Sequence, residues 1–230
     1  MSGSIPTVSI IMAMKDAERF LQQALDSISA QSFKDYEVIV VDGGSKDNSP
    51  SIARSCSKTT LLKQQGTGLA QAWNQAISLA RAPFLTFLDS DDLWVADSLE
   101  ACISEFESDN KLEYVFGRTE FFLEGSDIRP PGYWRELLQR SHLAPVTGAS
   151  MVRRSVANRI GMFDETMSVA SDIPWFVELR ETSVTRPLDR LLLRKRLHAR
   201  NLGALKYAVF KSELLRIARA RTAKHRKVAG

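Results

Sequence analysis

Cysteines, histidines and long apolar runs are all scarce in this 230-residue chain, and each scarcity excludes something. Two cysteines, Cys56 and Cys102, cannot build a disulfide framework, and their spacing is not that of a paired-thiol site. A reducing, cytoplasmic setting is the expectation. No stretch approaches the ~18 consecutive apolar residues of a membrane-spanning helix. The opening Met-Ser-Gly-Ser-Ile-Pro lacks the basic-then-apolar pattern of a secretory signal. Zinc-finger, helix-turn-helix and aromatic RNA-binding signatures are missing, so nucleic acid is not an expected partner. No internal repeat or low-complexity segment stands out.

What is present fits one large globular domain, with 44% hydrophobic and 25% charged residues. The formal net charge of +4 conceals an asymmetry. From Arg180 onward there are 15 Lys/Arg against 3 Asp/Glu, whereas the preceding residues hold 16 against 24. A mildly acidic body thus carries a basic C-terminal segment of the kind that meets phosphates.

The first half alternates strand and helix patterns. Residues 8–14 (V-S-I-I-M-A-M) and 36–42 (Y-E-V-I-V-V-D) are apolar and β-branched, as buried strands are. Between them Phe20, Leu21, Ala24, Leu25 and Ile28 recur at helical spacing. A helix from Ser49, a strand over T-L-L-K-Q, a helix opened by Gly66 and Gly68, and a strand over 83–89 continue the alternation. A helix over 97–109 and a strand over 114–122 follow. The loop 125–132, the segment 143–153 and a helix around 155–161 come next. The chain then reads as a helix over 173–181, a strand over 189–197 and a basic helix over 202–227. Strand–helix repetition with short connections predicts an α/β, Rossmann-like, mostly parallel sheet flanked by helices. In such sheets ligands sit at the carboxyl ends of strands, which places Asp42 and Asp89 on one crevice.

The stretch F-L-D-S-D-D-L-W puts Asp89, Asp91 and Asp92 within four positions of one another, directly after an apolar run. Like charges this close call for a cation. One reading is a strand-to-helix cap, with Asp91 or Asp92 capping a helix from Leu93. The other is a Mg²⁺ or Mn²⁺ site, because hard carboxylate oxygens suit these ions and substrate phosphates complete the shell. Asp42 likewise has two readings, an Asx-turn before Gly43-Gly44 or a ligand contact on the crevice.

These motifs together resemble glycosyltransferase family 2 on a GT-A fold. V-S-I-I-M, V-I-V-V-D-G-G-S-K-D and F-L-D-S-D-D-L-W carry the resemblance, which continues through G-T-G-L-A-Q-A-W-N-Q-A-I, 148–165, S-D-I-P-W-F-V-E-L and R-K-R-L-H-A-R-N. It spans about residues 6–203. It implies a domain over 1–203, with a nucleotide-sugar half at about 6–110 and an acceptor half at about 111–203. Residues 204–230 are left as a basic amphipathic tail.

The resemblance implies an inverting, metal-dependent transfer from a nucleoside-diphosphate sugar to a hydroxyl of a saccharide or lipid-linked glycan. UDP is the family's common carrier, with GDP and dTDP as alternatives. Asp91 would ligate the Mn²⁺ or Mg²⁺, with Asp89 and His198 as further ligands. Ala13, Asp16, Asp42, Gly66, Asn74, Asp89, Ser90 and His198 would line the donor site, with Arg196 and Asn201 as companions of His198. Asp172 would be the general base; Ser171 replaces the Glu of the family's Glu-Asp motif, and a helix N-cap is the alternative role for Asp172. Trp175 suits the core of its helix.

Two positions depart from the pattern: Ala13-Met14-Lys15-Asp16 stands where many members have Pro-Thr-Tyr-Asn, and Gly43 where a second Asp is frequent. Competing readings are a sugar-1-phosphate nucleotidyltransferase and a catalytically inactive peripheral membrane module. For the tail, an anionic membrane and packing on the body are both open.

Overall fold

The computed structural model describes residues 4–124, 129, 130, 133 and 135–228, with backbone alone over 221–228. Most of the expected 125–132 loop, and the tail side chains Arg221, Lys224, Arg226 and Lys227, lie outside the described residues. The strands are β1 (Val8–Met14), β2 (Tyr36–Asp42), β3 (Thr59–Lys63), β4 (Phe84–Phe87), β5 (Leu93–Trp94), β6 (Tyr114–Leu123), β7 (His142–Leu143), β8 (Ser150–Arg153) and β9 (Thr185–Leu197). The helices are α1 (Glu18–Ser29), α2 (Ser49–Ser55), α3 (Leu69–Leu79), α4 (Ser98–Ser108), α5 (Arg154–Ile160), α6 (Asp172–Thr182), α7 (Leu202–Leu205) and α8 (Tyr207–Val228).

Among the described residues these strands form one sheet in the order β3-β2-β1-β4-β8-β6-β9-β5, with β7 paired to β6. The first four run parallel. β8 opposes both β4 and β6, so β6 and its parallel neighbour β9 regain the direction of the first four. Strands in the middle of such a sheet are buried on both faces, which is why β1 and β2 read as continuous apolar runs. Val8, Ile10 and Met12 enter the cluster shared with Leu21, Leu25, Ile103 and Phe106. Ile11, one step out of phase, joins Trp73, Ile77, Phe87 and Trp175 on the opposite face. Trp175 is indeed core, its indole N–H donating to Gly161 O at 2.9 Å.

The register sets the crevice. Met14 pairs with Asp42 and Asp42 with Lys63, so three parallel strands end level. Phe87 pairs with Ile11, which brings the chain after β4 out at the same edge. The loops there are stitched together: Ser49 Oγ and Asp47 Oδ2 accept the Ala17 and Glu18 N–H groups at 2.8 and 3.0 Å, while Glu18 Oε2 accepts Asn48 N–H at 3.0 Å. The first N–H groups of α1 are thereby satisfied from the loop after β2.

β6 and β9 meet across an irregular register at Gly117. A Cβ there would lie 2.5 Å from the Leu192 side chain and 2.9 Å from the Arg190 carbonyl oxygen. Gly117→Ala is expected to lower stability by about 1–3 kcal/mol, seen as an earlier urea midpoint at unchanged slope.

Candidate active site

The segment after β4 turns at once, Asp92 N–H donating to Asp89 O at 3.1 Å. No helix starts at Leu93. Leu93 and Trp94 instead form β5 and pair antiparallel with Arg194 and Leu193 of β9. This overturns the helix-cap reading and explains the carboxylate cluster, because β9 lays a cation across it. Lys195 Nζ donates to Asp89 Oδ2 at 3.0 Å and to Asp92 Oδ2 at 2.8 Å. Asp92 Oδ1 accepts the Arg196 backbone N–H at 2.8 Å. Burial pushes the Asp92 carboxyl up to about 7, with Lys195 pulling against it and Asp91 and Asp89 adding to it. Lys195 is held well above the usual lysine range: burial opposes this, but the surrounding carboxylates prevail.

Asp92 is therefore a strut. Lys195→Met would leave a buried carboxylate with the Arg196 N–H and no ammonium, expected to cost about 3–5 kcal/mol. The double variant Asp92→Asn/Lys195→Met should recover most of it, which thermal unfolding of both variants would reveal.

Arg196 is buried beneath the loop. Its Nε donates to Asp91 O at 2.8 Å and its Nη2 to Gln23 Oε1 at 2.7 Å, and it also pairs with Glu124. Phe20 and Phe122 lie 4.4 and 4.8 Å from its guanidinium carbon. Where a ligand contact was expected, Arg196 shapes the backbone that carries Asp91.

Asp91 is gripped from the other side. His198 Nε2 lies 2.9 Å and Asn201 Nδ2 3.1 Å from its Oδ2. Asn201 Oδ1 also accepts the His198 N–H at 2.7 Å. Because the Arg200 N–H donates to His198 Nδ1 at 3.2 Å, the ring proton is assigned to Nε2, from which it reaches Asp91. In this tautomer the Nε2–H of His198 orients Asp91. Burial alone would raise the Asp91 carboxyl. The His198 hydrogen bond and the charge of Lys195 outweigh it and hold the group below the usual range.

The donor set suits a divalent ion. Oxygens of Asp89, Asp91 and Asp92 lie within 4.8 Å of one another. Asp92 has both oxygens engaged, whereas among the described residues Asp89 and Asp91 each keep Oδ1 outside the hydrogen bonds above. Two hard oxygens do not close a shell, and Mg²⁺ or Mn²⁺ held this way is completed by phosphates and water.

Asp42 holds the turn after β2, its Oδ1 accepting Ser45 N–H at 2.9 Å and Ser45 Oγ–H at 2.6 Å, three residues on where an Asx-turn would reach two. Asp16, at φ 49°, accepts the Lys46 N–H at 2.8 Å, and its own N–H donates to Ser45 Oγ at 2.9 Å. Both acids bind the two loops together at the crevice edge, beside half-buried Ala13. Ser90 is half-buried between Asp89 and Asp91. Gly66 and Gly68 take φ of 100° and 94°, angles that favour glycine, in the approach to α3.

Asn74 is spent on the protein. Its Nδ2 donates to Phe163 O at 3.0 Å and Glu165 Oε1 at 2.8 Å, while its Oδ1 accepts the Phe163 N–H at 2.9 Å. It ties α3 to the segment after α5, in place of the expected ligand role.

Asp172 opens α6, and its Oδ2 accepts Thr147 Oγ–H at 3.1 Å. Burial pushes its carboxyl up to about 6; the Thr147 hydrogen bond opposes this, and the charge of Asp89 adds to it. The fold has thus brought Asp172 within electrostatic reach of the Asp89 cluster. Sequence reasoning missed Lys195 and Thr147. The one signal for Lys195 was its place between Arg194 and Arg196, directly after the apolar Leu191–Leu193 run.

A model of the glycosyl transferase family 2 matches residues 9–164, more than half of the chain. The chain belongs to that family. Its central sheet and flanking helices are the GT-A fold. The crystal structure of S. aureus TarS 1-349 in complex with UDP superposes with a TM-score of 0.66 at 17% identity, covering 84% of this chain and 61% of that one. The mannosyltransferase PcManGT from Pyrobaculum calidifontis, in complex with GDP-Man and Mn²⁺, gives 0.67 at 19% identity over 96% of this chain and 65% of that one.

Among curated proteins, the Escherichia coli chondroitin synthase is 24% identical over 93% of this chain and 32% of its own length. The E. coli UDP-Glc:alpha-D-GlcNAc-diphosphoundecaprenol beta-1,3-glucosyltransferase WfgD is 34% identical over 53% of this chain and 49% of its own. Against these two curated relatives the family 2 chain spans half of the length or less. Family membership displaces the nucleotidyltransferase alternative.

Proposed function

We propose that this chain is an inverting, metal-dependent glycosyltransferase domain. It moves a sugar from a nucleoside-diphosphate sugar, UDP being the first carrier to test, to a hydroxyl of a saccharide or lipid-linked glycan. The observation that carries the reading is the division of labour among the crevice carboxylates. Asp91 is held below the usual carboxylate range, and Asp172, within electrostatic reach of Asp89, is tuned upward towards the pH of a working base.

A divalent ion held by Asp89 and Asp91 would supply Lewis-acid stabilisation of the departing diphosphate. Thr147 holds Asp172 Oδ2, leaving Oδ1 to face the acceptor hydroxyl. As the acceptor oxygen bonds to the anomeric carbon, its proton passes to Asp172. The bond from that carbon to the diphosphate oxygen breaks, and its electron pair leaves with the diphosphate. A single displacement inverts the anomeric configuration. His198 and Asn201 keep Asp91 in place, and Lys195 does so for Asp89 and Asp92.

The relatives support the substrate class, with UDP-glucose and a diphosphoundecaprenol acceptor in WfgD and GDP-mannose with Mn²⁺ in PcManGT. A lipid-linked acceptor would bring the domain to a membrane face, which suits exposed Lys211 and Arg219 of α8.

The test is thermal unfolding with UDP, GDP and dTDP, each with and without Mn²⁺, followed by a donor-sugar screen with the nucleotide that binds. A ligand at a hundred times its dissociation constant adds about 2.7 kcal/mol. Metal-dependent stabilisation by one nucleotide is the expected result. No shift with any of the three sinks the transferase reading and favours an inactive module of the same fold.

A further inference from the structure

The basic tail is anchored to the protein by its one acid. Helix α8 is rich in Lys and Arg, and Glu213 is the sole carboxylate in its sequence. Phe210, Glu213, Leu214 and Ile217 recur at helical spacing and are all at least half-buried, while Tyr207 and Leu215 are exposed. The apolar stripe that sequence alone also offered to a membrane is thus turned inward.

Glu213 meets three consecutive backbone N–H groups. Its Oε1 accepts Ser168 N–H at 2.7 Å and Ser168 Oγ–H at 3.3 Å. Its Oε2 accepts Val169 N–H at 3.2 Å and Ala170 N–H at 2.9 Å. Burial would raise this carboxyl, but the three backbone hydrogen bonds outweigh it and hold it below the usual range.

These N–H groups belong to the short segment that delivers Asp172. The segment begins with a turn in which Asp164 Oδ1 accepts Thr166 N–H at 2.9 Å and Oγ–H at 2.6 Å. It ends where Ala170 O accepts the Ile173 N–H at 3.2 Å, in the first turn of α6. Between these two fixed points, among the described residues, the N–H groups of 168–170 donate to Glu213. At its far end Asp172 is held by Thr147 through one oxygen. Removing the carboxylate leaves three convergent N–H groups without an acceptor, so the segment must rearrange.

We propose that Glu213 is a positioning residue for the transfer reaction, with α8 serving as a latch that sets Asp172 against the acceptor. This rests on the function proposed above. Displacing a reacting group by about 1 Å costs on the order of a hundredfold in rate, and the donor half of the crevice is untouched. The signature is therefore a loss of kcat without loss of nucleotide affinity.

Glu213→Ala, Glu213→Gln and the control Arg216→Ala serve as the test. Arg216 joins α8 to the same segment only through Asp164, at 3.9 Å and at the exposed rim. Amide exchange at 168–170, nucleotide affinity by calorimetry, and kcat and KM are measured on each. E213A should exchange faster at those amides and lose about a hundredfold in kcat, with nucleotide affinity within about twofold of wild type. E213Q, which keeps one acceptor oxygen, should fall between, and it carries the comparison if E213A does not fold. R216A should match wild type. Normal kcat in E213A, or kcat and nucleotide affinity falling together, overturns the latch. A wild type that binds no nucleotide instead defeats the transferase reading, and this role with it.

Discussion

Asp172→Asn is expected to lower kcat by about a thousandfold while leaving nucleotide affinity unchanged, within the range of general-base contributions. Asparagine keeps the shape and still offers Thr147 an acceptor oxygen, but it cannot take the acceptor's proton. The pH dependence carries its own signature. A base works in its ionised form, so kcat/KM should rise about tenfold per pH unit below the group's pKa and level off above it. Burial has moved Asp172 up to about 6, so the limb should sit near pH 6 and not near 4. Thr147 opposes that shift, and Thr147→Val should therefore move the limb to still higher pH. The asparagine variant should lack the limb altogether. Turnover within tenfold of wild type would remove Asp172 from the role, whatever the remaining profile.

The elements that could be read in advance are those whose neighbours do not matter much. β1 and β2 are apolar throughout because a parallel sheet buries both faces, and their ends came out at Met14 and Asp42 as the pattern required. β5 is two residues long and exists only because β9 lies beside it, so no local pattern announces it. That pairing is what carries Lys195 over Asp89 and Asp92.

The closing Arg-x-His-x-x-Asn segment lies against the carboxylate loop. Arg196, His198 and Asn201 face the carboxylate loop and hold it, because a buried loop with several like charges needs donors from below. Asn74 was misjudged for a related reason: spacing does not say which side of α3 meets the 163–165 segment. In α8 the apolar spacing is the same for a packed helix and a membrane-bound one. What shows α8 packed is the set of contacts Glu213 makes with 168–170.

Asp91 and Asp92 should separate cleanly by substitution. Asp91→Ala is expected to abolish the metal-dependent nucleotide stabilisation, about 2.7 kcal/mol at a hundredfold excess over the dissociation constant. The same change removes the acceptor of His198 and Asn201, so the unliganded protein should also lose about 1–3 kcal/mol. Asp91→Asn separates the two effects, since a side-chain oxygen still accepts from His198 but the charge is gone. Its fold should stay near wild type while metal-dependent binding is lost. Asp92→Asn should do the reverse. Its two oxygens face Lys195 and the Arg196 N–H, so the variant should unfold earlier yet still respond to nucleotide with Mn²⁺. Thermal unfolding of all three with and without nucleotide and metal decides the matter. A metal response kept in Asp91→Ala and lost in Asp92→Asn would exchange the roles of ligand and strut, and the crevice geometry drawn from Lys195 would fall with them.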